Sequence, residues 1–425
     1  MDTILVNQTT GKVRWGYVLG YLMLFLILPP IIGLPLIISM VWKKTNATKS
    51  DYYLLFLCIA SYFAAINATK APDGDQVNYY VAYTNVPNIG FWKSLVYIYG
   101  LDYYKDSAST KISGEFMNGI YNYLGYYVTF GKYYLFAFFY TFIEYLLIFV
   151  GFYKYCQFMK NRHMVIICGV LILGFFYLFF QYLLQIQKQF FAQAIIMYVL
   201  GTLSLKLKMS PKLWVLTAIA LFTHATTIIF IPFLVYKKLR EPLTKSTLFI
   251  LGGLFMALIF FAPSLVGSMT DRESTGTATY SLGRVANAEN DNDGMTLVMS
   301  QVIVIAIPIA LIVMKQLWLN RKRLVPHTAF ILNVVLLLLL AVVAMSRQKI
   351  AQYRYFMMIF AFMPFVYPHA FNNVKNRNIF LITLVFIMVV WFYGIFEKII
   401  YDFAPEWAII GVPPVGLVFG FNPDL

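Results

Sequence analysis

Apolar runs long enough to cross a bilayer recur along the chain, separated by short polar connections. A helix of about 20 apolar residues crosses a hydrocarbon core of roughly 30 Å. Runs of this kind predict spans near 17–42, 52–68, 133–154, 164–183, 189–205, 213–236, 246–266, 297–319, 327–345, 350–370 and 378–401. The pattern predicts an all-α polytopic integral membrane protein with about 11 transmembrane segments. Strands of a membrane barrel would read as alternating segments of about ten residues, and the sequence has no such alternation. The first run, Tyr17 to Met40, is too long for a cleavable signal and is read as a retained span. With no soluble domain apparent, residues 1–425 are read as one membrane domain.

The polar connections add sidedness. Lys43, Lys44 and Lys49, then Lys160 and Arg162, then Arg321, Lys322 and Arg323 follow the first, third and eighth spans. Short loops rich in Lys and Arg face the cytoplasm. Acids gather instead in a first outer loop (69–132), a second outer loop (267–296) and an outer tail (402–425). Within the first loop, Phe91–Tyr104 and Phe116–Phe130 are aromatic and partly amphipathic, as helices lying in the interface plane are.

One segment conflicts with this alternation. Both flanks of 213–236 are basic, and its middle carries the polar break Thr223-His224-Ala225-Thr226-Thr227. Two half-helices that enter and return satisfy both flanks, so 213–236 is read as re-entrant. A straight span with one misplaced loop is the alternative. Non-helical backbone at membrane depth is tolerated where protein or a water-filled cavity covers it.

Composition agrees with the pattern: 60% of residues are hydrophobic and 12% charged, against about 25% charged in soluble domains. The net charge of +15 would suggest nucleic acid in a soluble protein. Here the positive-inside distribution accounts for it, and no nucleic acid is expected. Cys58, Cys156 and Cys168 fit neither a disulfide framework nor a metal site.

Candidate chemistry lies on the outer side. Asp75, Tyr79 and Tyr83 recur at a spacing of four, which puts them on one helix face. A carboxylate with two phenols suits a polyhydroxylated ligand. Asp75 or Glu115 is a candidate general base for a hydroxyl, with Asp75 preferred. Asp73-Gly-Asp75 resembles a metal motif but reads better as a turn. His224 maps to mid-membrane, where ionisable groups are costly and usually functional. His163, His327 and His369 map to cytoplasmic span ends, where solvation explains them. Lys188 and Gln189 lie in a short outer connection. Arg347 and Arg354, seven residues apart, share a helix face at the outer start of the tenth span, with Tyr355 next to Arg354. The bidentate fork of arginine suits pyrophosphate.

Together these residues resemble the EpsG-type branch of bacterial Wzy polymerases. Three motifs carry the resemblance: Asp75-x-x-x-Tyr79-x-x-x-Tyr83; Lys188-Gln189-Phe-Phe-Ala192 followed by Phe222-Thr-His224; and Arg354-Tyr355. Where that family usually has Arg, this chain has Lys188. The resemblance implies a GT-C-like membrane glycosyltransferase. It would join undecaprenyl-pyrophosphate-linked oligosaccharide repeat units at the outer face of the bacterial inner membrane, in O-antigen, capsule or exopolysaccharide synthesis. It further implies no metal and no cofactor, with membrane lipid and a chain-length regulator as candidate partners. Lys188, Arg347 and Arg354 would neutralise the leaving pyrophosphate. His224 would orient phosphate or relay a proton. Asp75 would act on the acceptor hydroxyl, with Glu115 as the second acid. Tyr79 and Tyr83 would stack on sugars. The competing readings are an O-antigen ligase, a polysaccharide transporter or flippase, and a structural membrane scaffold.

Overall fold

In the computed structural model the described residues are 12–73, 75–96, 115–159, 161–254, 257, 296–344, 349–370, 385–394 and 402–422. They are helical, with no strand among them. The helices are α1 (Trp15–Ile27), α2 (Pro30–Trp42), α3 (Lys49–Ala68), α4 (Asp75–Thr84), α5 (Val86–Val96), α6 (Met117–Val128) and α7 (Tyr133–Tyr155). Then come α8 (Arg162–Phe175), α9 (Tyr177–Gln185), α10 (Gln187–Lys206), α11 (Pro211–Thr223) and α12 (Ile231–Val235). Helix α13 (Lys245–Leu254) precedes α14 (Thr296–Met314), α15 (Pro326–Ala344) and α16 (Lys349–Ala370). The series ends with α17 (Val385–Gly394), α18 (Glu406–Gly411) and α19 (Pro414–Gly420).

Among the described residues, Lys49–Ala68, Tyr133–Phe158, Gln187–Lys206 and Pro326–Val343 are long and apolar enough to cross a membrane. Several expected spans are built differently. The run 17–42 is two helices broken at Leu28–Pro29, because Pro29 and Pro30 cannot continue α1. The run 164–183 bends by 58° between α8 and α9. In 213–236 the helix stops at Thr223, as the polar break predicts, and a 3-10 turn over Ala225–Phe230 follows.

The chain forms two compact units. The first holds residues 1–202, 212–224 and 377–425; the second holds 203–211 and 225–376. In the first, α3 is buried along nearly its whole length. It runs antiparallel to α7: Asn67 donates to Thr141 Oγ1 at 2.8 Å, Phe63 stacks on Tyr145, and Tyr52 meets Tyr153. Trp391 of α17 is fully buried against Tyr62, Phe63 and Phe175. His163 is not simply solvated: its Nδ1 lies 2.8 Å from the Tyr52 hydroxyl and its Nε2 3.2 Å from the Trp42 carbonyl oxygen.

Helices α7 and α10 cross backbone to backbone. A Cβ on Gly201 would sit 2.0 Å from the Gly151 carbonyl oxygen, and one on Gly151 2.5 Å from that of Met197. Small residues at such crossings let membrane helices approach closely. Gly201→Ala is therefore expected to force α7 and α10 apart and to cost about 1–3 kcal/mol. A lowered thermal midpoint in detergent would register it. An unchanged midpoint would show that the crossing is looser than described.

In the second unit, α16 packs against α14 and α15. Asn333 of α15 donates to the Leu239 and Glu241 carbonyls at 2.8 and 2.9 Å. The His327 ring is bonded to the Ser204 carbonyl.

Candidate functional site

A largely buried three-residue cluster forms in the first unit. Lys188 Nζ lies 3.0 Å from Glu115 Oε2, and His224 Nε2 lies 3.8 Å from Glu115 Oε1. One carboxylate thus faces two basic groups. Side-chain exposure is 4% for Lys188, 13% for Glu115 and 10% for His224. At such burial the attraction is far less screened than at a surface.

Local structure brings each group there. Lys188 stands on the first turn of α10, which starts after the chain leaves helical geometry at Ile186. Glu115 stands two residues before α6, and Asn118 donates to its carbonyl. Asn118 also donates to the Thr223 carbonyl at 2.9 Å, while the Tyr121 and Thr223 hydroxyls lie 2.9 Å apart. Phe116 packs on Phe222. These contacts fasten the end of α11 to the start of α6, and they put His224 next to Glu115. His224 keeps its backbone bond to Ala220 but ends the helix.

The other predicted residues of the first unit lie on α4 and α10. Asp75, Tyr79 and Tyr83 do form one helix, α4. Asp75 is exposed on its first turn, whereas Tyr79 is buried and Tyr83 fully so. The Tyr83 hydroxyl is 2.5 Å from Thr129 Oγ1, and its ring packs on Tyr126, Tyr133 and Phe136. In this arrangement Tyr83 is packed against protein. Gln189 is wholly buried on the first turn of α10. Arg354 and Tyr355 belong to α16 of the second unit, both half-buried. Arg347 lies outside the described residues.

Two residues escaped sequence reasoning. Glu144 is wholly buried midway along α7, and neither carboxyl oxygen has a hydrogen-bond partner among the described residues. The Tyr140 phenol is in electrostatic reach of Glu144 and of the Tyr79, Tyr121 and Tyr133 phenols. An acid inside the apolar run Phe136–Phe149 was the available signal.

Lys70 is the second. It is buried at the end of α3 and bonded to the Gln76 side-chain oxygen, while Gln76 donates to the Leu184 carbonyl at 2.5 Å. Burial pulls the Lys70 ammonium down to about 8, partly offset by Asp73. An unfolded lysine titrates near about 10.4. Keeping Lys70 charged therefore costs stability below pH 8, and the cost fades as pH rises from about 8 to about 10.4. Relative to Lys70→Met, the wild-type protein is expected to gain up to about 3 kcal/mol across that window. Parallel melting curves for the two proteins from pH 7 to 10 would refute this.

The family profile described as the EpsG family matches residues 92–405. The chain belongs to the EpsG family. The EpsG match takes in Glu115, Lys188, His224 and Arg354 and leaves out the Asp75-Tyr79-Tyr83 motif. No curated protein and no solved structure matches the chain. EpsG membership and the apolar helices support a membrane protein with a polysaccharide-polymerase type of function.

Proposed function

We propose that this EpsG-family protein joins lipid-pyrophosphate-linked oligosaccharide repeat units at the outer face of the bacterial inner membrane. The growing chain passes from its undecaprenyl pyrophosphate onto the non-reducing end of the next unit. The observation that carries the reading is the placement of Glu115 between Lys188 and His224.

The chemistry follows from that placement. The acceptor hydroxyl oxygen bonds to the anomeric carbon as that carbon's bond to the pyrophosphate oxygen breaks. The bonding pair leaves with the pyrophosphate, and the hydroxyl proton goes to Glu115. A protonated Glu115 no longer neutralises Lys188. The ammonium's charge then becomes available to the pyrophosphate as negative charge builds there. His224, beside the other carboxylate oxygen, takes the proton onward. Exposed Asp75 holds hydroxyls of the acceptor. Glu115 is taken as the base in preference to Asp75 because the groups beside it, Lys188 and His224, can answer the leaving charge and take the proton onward. The pyrophosphate role of Arg354 rests on its sequence motif alone.

Deleting the gene tests the class. Surface lipid in the deleted cells is expected to carry single repeat units. Complete loss of attached glycan would overturn the polymerase reading in favour of a ligase.

A further inference from the structure

On the side that the lysine distribution assigns to the cytoplasm, the second unit holds a cavity of about 530 Å³. That volume is in the range of small-ligand sites. Among the described residues its polar lining is basic, Lys206, Lys208, Lys237 and Arg240, with Met209 and Val235 among the apolar lining and no acid. Lys206, Lys208 and Lys237 are exposed and make no ion pair among the described residues. Four like charges around one cavity repel one another, and an anion between them removes that repulsion.

The cavity is built rather than incidental. Leu207, between two of the lysines, has φ +52°, a left-handed conformation that bulky residues rarely adopt. Arg240 is buried and holds the turn there. It donates to the Leu207 carbonyl at 3.0 Å, to Phe233 at 2.9 Å and to Leu234 at 2.5 Å. Its donors thus go to carbonyls, and among the described residues its charge has no carboxylate partner. A solvated basic loop needs neither the strained residue nor the buried arginine.

Val235 of the lining and its chain neighbour Tyr236 point to the source of the anion. Val235 and Tyr236 are 64% and 53% exposed at the end of the short apolar helix α12. Tyrosines at such places mark the head-group level. A basic pocket beside an exposed apolar edge matches an amphiphile with an anionic head. We propose that this cavity binds the phosphate head group of an anionic phospholipid, with the acyl chains lying along Val235 and Tyr236.

The test uses delipidated full-length protein in neutral detergent, titrated with phosphatidylglycerol or phosphatidylcholine, with bound lipid phosphorus as the readout. At least a tenfold preference for phosphatidylglycerol is expected. It should disappear in the Lys206→Gln/Lys208→Gln/Lys237→Gln variant and persist in Lys43→Gln/Lys322→Gln. Should the triple variant not fold, the wild-type preference must still collapse between low and high salt, as an electrostatic contact does. Equal binding of the two lipids, or an undiminished preference in a folded triple variant, would overturn the proposal. Displacement of phosphatidylglycerol by an equal concentration of inorganic phosphate would also overturn it, in favour of a free-phosphate site.

Discussion

Glu115→Gln is expected to cut polymer formation by at least about 100-fold, the usual loss when a general base is removed, and to lower the thermal midpoint as well. The amide keeps the size of the side chain but loses both the basicity and the charge that faces Lys188 at 3.0 Å. Removing one partner of a buried ion pair costs about 3–5 kcal/mol. Replacing both partners with uncharged groups is often neutral. Lys188→Met combined with Glu115→Gln is therefore expected to recover most of the lost stability. It should recover none of the activity, since the base and the pyrophosphate's countercharge are both gone. If stability and activity returned together, Glu115 would be a packing residue.

His224→Ala should show the opposite balance. Removing an acid–base group costs about 10²–10⁴ in rate, so polymer formation should fall at least 100-fold. Little stability should be lost. The helix α11 terminus is fixed by Asn118 and Tyr121 acting on Thr223, and neither contact uses the imidazole. His224 Nε2 lies 3.8 Å from Glu115 Oε1, and its loss leaves the 3.0 Å Lys188–Glu115 pair in place. The change in stability is expected to be smaller than that of Glu115→Gln. A large fall in the melting midpoint with unchanged product length would reverse the assignment.

The helical class was legible because hydropathy and length set it directly. The break at His224 was legible as a polar run, Thr223 to Thr227, inside an apolar segment. The break at Pro29 carried an equally local signal, a pair of prolines inside the first apolar run. The bend between α8 and α9 has no proline to mark it; Gly174, where a Cβ would meet Phe63 at 2.4 Å, is the nearest sign.

The site was legible by residue and not by partner. Glu115, Lys188 and His224 each stood out alone, but Lys188 pairs with an acid 73 positions away, and no local pattern encodes such a contact. The spacing of Asp75, Tyr79 and Tyr83 gave the right helix. Spacing says which residues share a face, not whether that face meets ligand or protein, and here Tyr83 meets protein. Glu144 was hidden by averaging, since one acid barely lowers the hydropathy of α7.

The central claim is that Glu115, held between Lys188 and His224, takes the acceptor proton during glycosyl transfer. It is tested most directly by adding undecaprenyl-pyrophosphate repeat units to proteoliposomes of the purified protein and separating the products by length. Wild-type protein should yield a ladder, and the stability-matched Lys188→Met/Glu115→Gln protein should yield only the starting unit. A ladder formed by that variant at the wild-type rate would contradict the account.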